Sequence, residues 1–203
     1  MFEILSQMFG STAFEFIAVT SGLINVVLIV RRSIWNYPFG FLMVLLYGFI
    51  FWEARLYSDA LLQVYFFFIQ IYGLWCWLAG RAPDGRVIVE RLPTTQYKWY
   101  SLILVGAWLA LGGVMQTFTD AAFPFWDASI AVLSVVAQYL MARRFIESWV
   151  LWIVVDLLAI TLFMARGLEP TAMLYTVFLI LSSIGLRQWL RSYNRRPMGG
   201  AVA

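Results

Sequence analysis

The sequence predicts an all-α integral membrane protein in which seven transmembrane helices form two parallel three-helix repeats joined by one linker helix. Three observations predict this class: the composition, the lengths of the apolar runs and an internal repeat. Of the 203 residues, 63% are hydrophobic and 12% are charged, whereas a soluble domain is about half apolar and about a quarter charged. A water-soluble globule could not bury that much apolar surface, so lipid is expected to surround most of the chain.

Seven apolar runs are long enough to cross a bilayer, which takes about 20 residues of helix. The runs are continuous rather than alternating, which favours helices over the strands of a closed barrel. The predicted spans are 13–30, 38–54, 59–79, 98–115, 126–142, 148–165 and 169–190. The polar segment 80–97 contains two prolines and no helical period, so it is predicted to be a cytoplasmic loop.

The basic residues predict that the N-terminus is outside and that the C-terminus is in the cytoplasm. With these spans, 12 of the 14 Lys and Arg residues fall on one side, and only Arg55 and Arg166 fall on the other. Cytoplasmic loops carry the excess of basic residues in membrane proteins. The basic tail, residues 191–203, is expected to lie at the inner leaflet, where anionic lipids attract it.

Four short matches recur in order along the chain, which indicates an internal duplication. The first copies are Ile17–Ser21, Arg31–Arg32, Ala54–Arg55 and Gly73–Leu78, and the second copies are Ile130–Ser134, Arg143–Arg144, Ala165–Arg166 and Gly185–Leu190. The sequence numbers of the two copies differ by 113, 112, 111 and 112, in that order. We therefore predict one repeat at 13–79, a linker helix at 98–115 and a second repeat at 126–190.

The single linker span determines the predicted orientation of the repeats. Three spans alone would invert the second copy, and a fourth restores the orientation of the first. Parallel repeats of this kind are typical of transporters, which place the substrate near the middle of the membrane where the repeats meet.

The residue types also exclude several functions. The chain has no histidine and one cysteine, Cys76, so a histidine general base, a disulfide framework and a thiolate or imidazole zinc site are excluded. No GxxxxGK[ST] segment is present, so the chain is not its own ATPase. We predict a protein without a cofactor or metal that is not an enzyme and, despite its net charge of +3, has no nucleic-acid partner.

Polar and aromatic residues inside the spans recur at helical spacing and are the candidate substrate-binding residues. They are Asn25, Trp52, Gln70, Asp127, Gln138, Tyr139, Trp149, Trp152, Asp156, Tyr175 and Ser182. The repeat pairs Asn25 with Gln138, Ser21 with Ser134 and Gln70 with Ser182, as expected for two walls of one cavity. The alternative is that these groups form interhelical hydrogen bonds, each contributing about 0.6–2 kcal/mol. For Trp149, the alternative is a place in the aromatic belt.

Asp156 is the one ionisable residue predicted near the middle of the membrane. A charge there costs at least about 2.5–3.5 kcal/mol. Three interpretations remain open: a protonated structural group, a proton-coupling site, or the counter-charge for a cationic substrate. Trp149 and Trp152 fall on the same helix face, and an aromatic face beside a carboxylate suits a flat cationic ring.

The stretch from Phe123 to Leu158, FPFWDASIAVLSVVAQYLMARRFIESWVLWIVVDLL, resembles the PnuC vitamin B3 (nicotinamide riboside) transporters of bacteria. Its SVVAQYLMARRxIESWxxW core is similar to the family's hallmark, and INVVLIVRRSIWNYPFG in the first repeat is similar to the family's opening segment. The resemblance extends over about residues 13–190.

The resemblance implies a three-plus-one-plus-three fold like that of a SWEET sugar transporter, often as a homotrimer in the bacterial inner membrane. It also implies facilitated diffusion of nicotinamide riboside by alternating access, with a cytoplasmic kinase trapping the product. Relatives carry thiamine or riboflavin, so those vitamins are alternative substrates, and a proton-coupled carrier is an alternative mechanism. A membrane enzyme and a purely structural subunit are the rival classes of function.

Overall fold

The computed structural model describes residues 12–55, 57–119 and 122–195. These ranges form seven α-helices, and the predicted all-α class is confirmed. The helices are α1 (Thr12–Val30), α2 (Asn36–Glu53), α3 (Tyr57–Ala79), α4 (Thr94–Phe118), α5 (Pro124–Ala142), α6 (Glu147–Ala165) and α7 (Glu169–Asn194). The basic tail predicted from residue 191 lies outside the described residues from position 196 onward.

Six of these helices are long and apolar enough to cross a membrane, by length and composition. They are α1, α3, α4, α5, α6 and α7. The predicted second span coincides with α2, which has 18 residues. Its polar ends, Asn36 and Glu53, lower its mean hydropathy, and α2 is not among the six. The protein is therefore a multi-pass membrane protein.

The chain divides into two compact units, one ending at Ile88 and the other beginning at Val89. In the first unit, α2 packs against both α1 and α3. The segment after α3 folds back on itself, with an antiparallel bridge between Arg81 and Val87. Val87 is fully buried, and its N–H donates to the carbonyl of Arg32 at 3.1 Å. Part of the predicted solvent loop is therefore packed against protein.

In the second unit, α4 packs on α5, α5 on α6 and α6 on α7. A buried apolar cluster connects α4 and the segment before it to α5 and α6. Its members are Leu92, Val136, Leu140 and Phe145, with Tyr100, Leu104, Tyr139 and Leu151 packed around them. The predicted linker helix begins at Thr94 rather than at residue 98, and it belongs to the compact unit that also contains α5–α7.

The same local geometry recurs in both units, and the sequence numbers of equivalent turns differ by a constant 112. The second arginine of each pair has a left-handed backbone, with φ of 59° at Arg32 and 65° at Arg144. The second residue after α2 and the second residue after α6 are left-handed as well, with φ of 59° at Arg55 and 70° at Gly167. The predicted offset of 111 at these turns is therefore wrong, because Arg55 is equivalent to Gly167.

The ends of α1 and α5 correct a second predicted offset. Each helix ends immediately before its arginine pair, and both are continuous over their described lengths, so the offset of 112 extends through them. At this offset Asn25 is equivalent to Ala137 and Ser21 to Leu133. The predicted pairs Asn25–Gln138 and Ser21–Ser134 are each shifted by one residue, because identical residue types one position apart gave a match at 113.

Candidate functional site

Each unit contains its own set of buried polar side chains. The buried polar residues of the first unit include Ser21, Asn25, Asn36 and Gln70, and those of the second include Ser134, Ser148, Asp156 and Ser182. All of these except Asn36 and Ser148 come from the polar positions predicted inside the spans, and Asn25, Gln70, Asp156 and Ser182 are candidate site residues.

The cluster in the first unit is organised around Gly40. The side-chain amide of Asn25 donates to the backbone carbonyl of Asn36 at 2.8 Å. The Asn36 amide in turn donates to the carbonyl of Ser33 at 2.7 Å. A Cβ at Gly40 would overlap the side-chain amides of both Gln70 and Asn25. Three helices therefore meet through amide groups at a point where only glycine leaves enough space.

Asn36 is the residue that the sequence pattern missed in this cluster. It is 3% exposed, yet it lies at the start of α2 outside the predicted span 38–54. Asparagine before a helix is ordinarily interpreted as a solvent-exposed cap. The signal that could have identified it is its equivalence, at the offset of 112, to the fully buried Ser148, whose hydroxyl donates to the carbonyl of Phe145 at 2.7 Å.

The cluster in the second unit contains a carboxylate. Asp156 is the tenth of the 19 residues of α6 and is 2% exposed. Its Oδ2 accepts a hydrogen bond from the Ser182 hydroxyl on α7 at 3.0 Å. Among the described residues, no arginine or lysine forms an ion pair with it, because the salt bridges there are Arg144–Glu90 and Arg166–Asp127. The buried Asp156 side chain therefore has a neutral hydroxyl as its hydrogen-bond partner.

Two tryptophans on α6 differ in their surroundings. Trp149 is 1% exposed, and its ring meets Trp189 edge to face at 5.5 Å. A Cβ at Gly185 would lie 2.6 Å from the Trp149 ring, so α7 approaches this ring as closely as glycine permits. The indole N–H of Trp149 is buried without a hydrogen-bond partner among the described residues. Trp149 is therefore a core residue and not a belt residue, whereas Trp152 is partly exposed.

Three other candidates contact different groups. Asp127 forms an ion pair with Arg166 at 2.8 Å, joining the start of α5 to the residue after α6. Trp52 is 61% exposed near the end of α2. The hydroxyl of Tyr139 accepts a hydrogen bond from Arg143 at 3.3 Å within the cluster around Leu140. None of these contacts involves the buried amide or carboxylate groups.

The remaining two candidates lie on α7 and α5. Tyr175 stacks on Phe163 with ring centroids 5.4 Å apart. Gln138 is partly buried on α5. In the described part of the chain, no group of three or more acidic or cysteine side chains could hold a metal ion.

The chain is similar to known proteins over nearly its whole length. A family model described as "Nicotinamide mononucleotide transporter" matches residues 12–191. The nicotinamide riboside transporter PnuC of Escherichia coli (strain K12) is 30% identical, over 90% of this chain and 87% of that protein. The riboflavin/roseoflavin transporter RibM of Streptomyces davaonensis is 34% identical, over 90% of this chain and 88% of that protein.

A solved structure agrees with these similarities. The crystal structure of the vitamin B3 transporter PnuC matches with a TM-score of 0.73 and 25% identity, covering 96% of this chain and 92% of that chain. Together with the multi-pass helical fold, the matches define a small-molecule transporter of the vitamin type and not an enzyme. The chain belongs to the nicotinamide mononucleotide transporter family, which contains the PnuC proteins that its sequence resembles.

Proposed function

We propose that the protein carries nicotinamide riboside across the bacterial inner membrane by facilitated diffusion. The observation that carries this proposal is Asp156, a buried carboxylate in the middle of α6 that no described basic residue neutralises. A buried charge without a partner is strongly unfavourable, whereas a cationic ligand would supply the missing positive charge. Nicotinamide riboside is such a ligand, because its pyridinium ring carries a permanent positive charge.

The aromatic residues on the same helix support this choice of substrate. Trp149 and Trp152 precede Asp156 by seven and four residues, which places all three on one side of α6. A tryptophan face attracts a cationic ring by about 2 kcal/mol or more when both are desolvated. The buried N–H of Trp149 adds a donor that lacks a described acceptor. In this proposal, Asp156 selects the charge, and Trp152, which is partly exposed, selects the flat ring.

The amide cluster of the first unit, taken by itself, contains groups that hydrogen-bond to hydroxyls. Ribose presents hydroxyl groups that both donate and accept hydrogen bonds, and an amide side chain offers both kinds of partner. Asn25 and Gln70 are buried near Gly40, and we propose them as sugar-binding residues. The other predicted substrate-binding residues also remain proposals: Gln138, Tyr139, Tyr175, Trp52 and Asp127.

A riboflavin transporter is the second candidate, because RibM is 34% identical to this chain. Riboflavin is neutral and would leave Asp156 without a counter-charge. Thiamine carries a thiazolium charge and would satisfy it. The charge argument therefore favours nicotinamide riboside or thiamine over riboflavin, and the PnuC relatives favour nicotinamide riboside.

The proposed mechanism is uniport by alternating access. The sequence contains no nucleotide-binding motif that could supply energy, so net uptake would depend on a cytoplasmic kinase that phosphorylates the vitamin. We further propose the predicted arrangement of two parallel three-helix repeats joined by α4, with the N-terminus outside, and assembly as a homotrimer. Proton coupling through Asp156 is the alternative mechanism.

Uptake into proteoliposomes tests the proposal directly. Purified protein is reconstituted, and entry of labelled nicotinamide riboside, thiamine and riboflavin is followed with and without an imposed pH gradient. We expect saturable equilibration of nicotinamide riboside that does not exceed the outside concentration. Accumulation driven by the gradient would replace uniport with proton coupling, and saturable entry of riboflavin alone would replace the substrate.

A further inference from the structure

We propose that α4 and the segment that precedes it form one rigid body with α5–α7, so that a four-helix unit moves as a whole during transport. This inference rests on the proposed transport function, because it specifies what moves in the transport cycle. The alternative is that α4 is an independent linker that slides along α5 when the site changes access. The contacts along α4 distinguish the two arrangements.

The C-terminal half of α4 is locked to the first turn of α5. The indole N–H of Trp108 donates to the backbone carbonyl of Phe125 at 3.0 Å, and the two rings meet edge to face at 5.5 Å. A Cβ at Gly112 would overlap the Phe125 ring, so this ring fills the space that the glycine leaves. Interlocked packing of this kind resists sliding, because the ring occupies space that is open only opposite a residue without a Cβ.

The N-terminal end of α4 is fixed to α6 by one carboxylate. Glu147, in the first turn of α6, accepts the backbone N–H of Leu92 at 3.0 Å and the hydroxyl of Tyr97 at 2.8 Å. Leu92 is 5% exposed. Withdrawal of this end would leave a carboxylate and a backbone donor without their partners, which is unfavourable.

The segment before α4 is also paired with this unit. The N–H of Glu90 donates to the carbonyl of Arg144 at 2.9 Å, and the N–H of Ile146 donates to the carbonyl of Glu90 at 3.0 Å. The side chains of Glu90 and Arg144 form an ion pair at 2.7 Å. The attachment therefore consists of two backbone hydrogen bonds and a salt bridge around a single residue.

Immediately upstream of Glu90, the backbone hydrogen bonds of the segment are made to residues of the first unit instead. The N–H of Ile88 donates to the carbonyl of Gly80 at 2.9 Å, within the first unit. Glu90 is bonded within the second. The change of partner falls between Ile88 and Glu90, so the boundary between the two sets of hydrogen bonds lies there. The linker helix lies beyond this point, on the side of α5–α7.

A disulfide between α4 and α5 tests the rigid body. A Cβ at residue 112 would lie 3.0 Å from Cγ of Phe125, which is one bond from the Phe125 Cβ, and a disulfide needs a Cβ–Cβ distance of about 3.5–4.5 Å. In a Cys76→Ala background, the double variant Gly112→Cys/Phe125→Cys is oxidised in proteoliposomes, with both single variants as controls. We expect nearly complete cross-linking and less than a twofold change in uptake.

The opposite results would overturn the inference. A cross-link that stops uptake and releases it on reduction would show that α4 must move relative to α5. If the Cys76→Ala parent transports none of the vitamins, the proposed function fails, and the extent of cross-linking still decides whether α4 is fixed, since slow or incomplete oxidation would contradict a rigid contact.

Hydrogen exchange on the unmodified protein provides a second test that does not depend on the variant folding. The amides of Glu90 and Leu92 are bonded within the proposed rigid body. We expect their exchange rates to change less than twofold when saturating nicotinamide riboside is added. An increase of tenfold or more in either rate would show that this end of α4 detaches.

Discussion

Asp156 and Ser182 meet in the interior of the second unit, where a carboxylate accepts a single described hydrogen bond from a hydroxyl. The spacing of Asp156 from the tryptophans of α6 is a property of the helix, so the residue types alone indicated an acidic and aromatic face. The contact with Ser182 depends on how α6 packs against α7. Chemistry at this scale is therefore partly local and partly a consequence of packing.

The substitution Asp156→Asn should separate cationic from neutral ligands. We expect it to weaken nicotinamide riboside at least about tenfold, which corresponds to about 1.4 kcal/mol, because the amide keeps the shape but removes the counter-charge. A neutral, reduced-ring analogue should lose less than about threefold, a difference of about 0.65 kcal/mol. Titration of purified protein measures both affinities, with Glu169→Gln as a control for losing an exposed carboxylate. Equal weakening of the two ligands would contradict a charge-selecting role.

A second prediction for a single residue concerns Gly185. A Cβ added there would lie 2.6 Å from the buried ring of Trp149. The substitution Gly185→Ala should lower the free energy of unfolding by about 1–3 kcal/mol, since the ring has no room to shift. The matched substitution Gly106→Ala, where nothing lies within 4 Å of the added Cβ, should stabilise α4 by about 0.5–1 kcal/mol. Thermal unfolding in detergent measures both, and similar effects of the two would argue against tight packing at Gly185.

Among the helices and turns, the four turns after α1, α2, α5 and α6 share the same backbone conformation. The second residue after each helix has a positive φ: Arg32, Arg55, Arg144 and Gly167. Left-handed backbone costs a residue with a Cβ roughly 1–2 kcal/mol, yet three of the four positions are arginine. Arg32 and Arg144 also make hydrogen bonds with the polar loop, which offsets part of that cost.

The equivalent residues Arg55 and Gly167 provide a prediction at this scale. The substitution Gly167→Ala should destabilise the protein by about 1–2 kcal/mol, because φ of 70° disfavours any Cβ. Arg55→Gly should leave stability unchanged or raise it, since Arg55 is exposed and strained in the same way. Melting temperatures of the two variants decide the point. A stable Gly167→Ala variant would contradict the assigned turn geometry.

At the scale of the whole molecule, the six apolar helices and the family match establish a multi-pass transporter, while the direction of insertion is a prediction from basic residues. In a Cys76→Ala background, Arg195→Cys should react with a membrane-impermeant maleimide only after the cytoplasmic side is opened. Glu53→Cys should react from outside in intact cells. Labelling of both positions from the same side would contradict an odd number of spans.

The internal duplication shows how precisely short sequence matches aligned the two halves of the chain. The two matches at an offset of 112 coincide with similar local geometry. Arg32 and Arg144 are both left-handed, and Trp77 and Trp189 each meet an aromatic ring edge to face. The matches at 111 and 113 were misplaced by one residue. In an apolar chain, identical Leu, Val or Ala neighbours occur by chance one position away, so only a backbone feature such as a left-handed turn determines the register.

The amino-acid sequence by itself determined the lipid environment, the helical class, the approximate spans and the transporter family, because hydropathy, span length and family motifs are properties of the chain read in order. It also identified Asn25, Gln70, Asp156 and Ser182 as polar groups inside helices, since residue type and position in an apolar run are read directly from the sequence.

Only the tertiary structure decided which of these groups meet. It buried Asn36 and Trp149, paired Asp127 with Arg166, and placed α4 in the same compact unit as α5–α7. Each of these contacts joins residues on different helices, and the helical period specifies a face but not the neighbour that the face contacts. That neighbour is selected by shape, above all where glycine at positions 40, 112 and 185 lets a side chain from another helix come close.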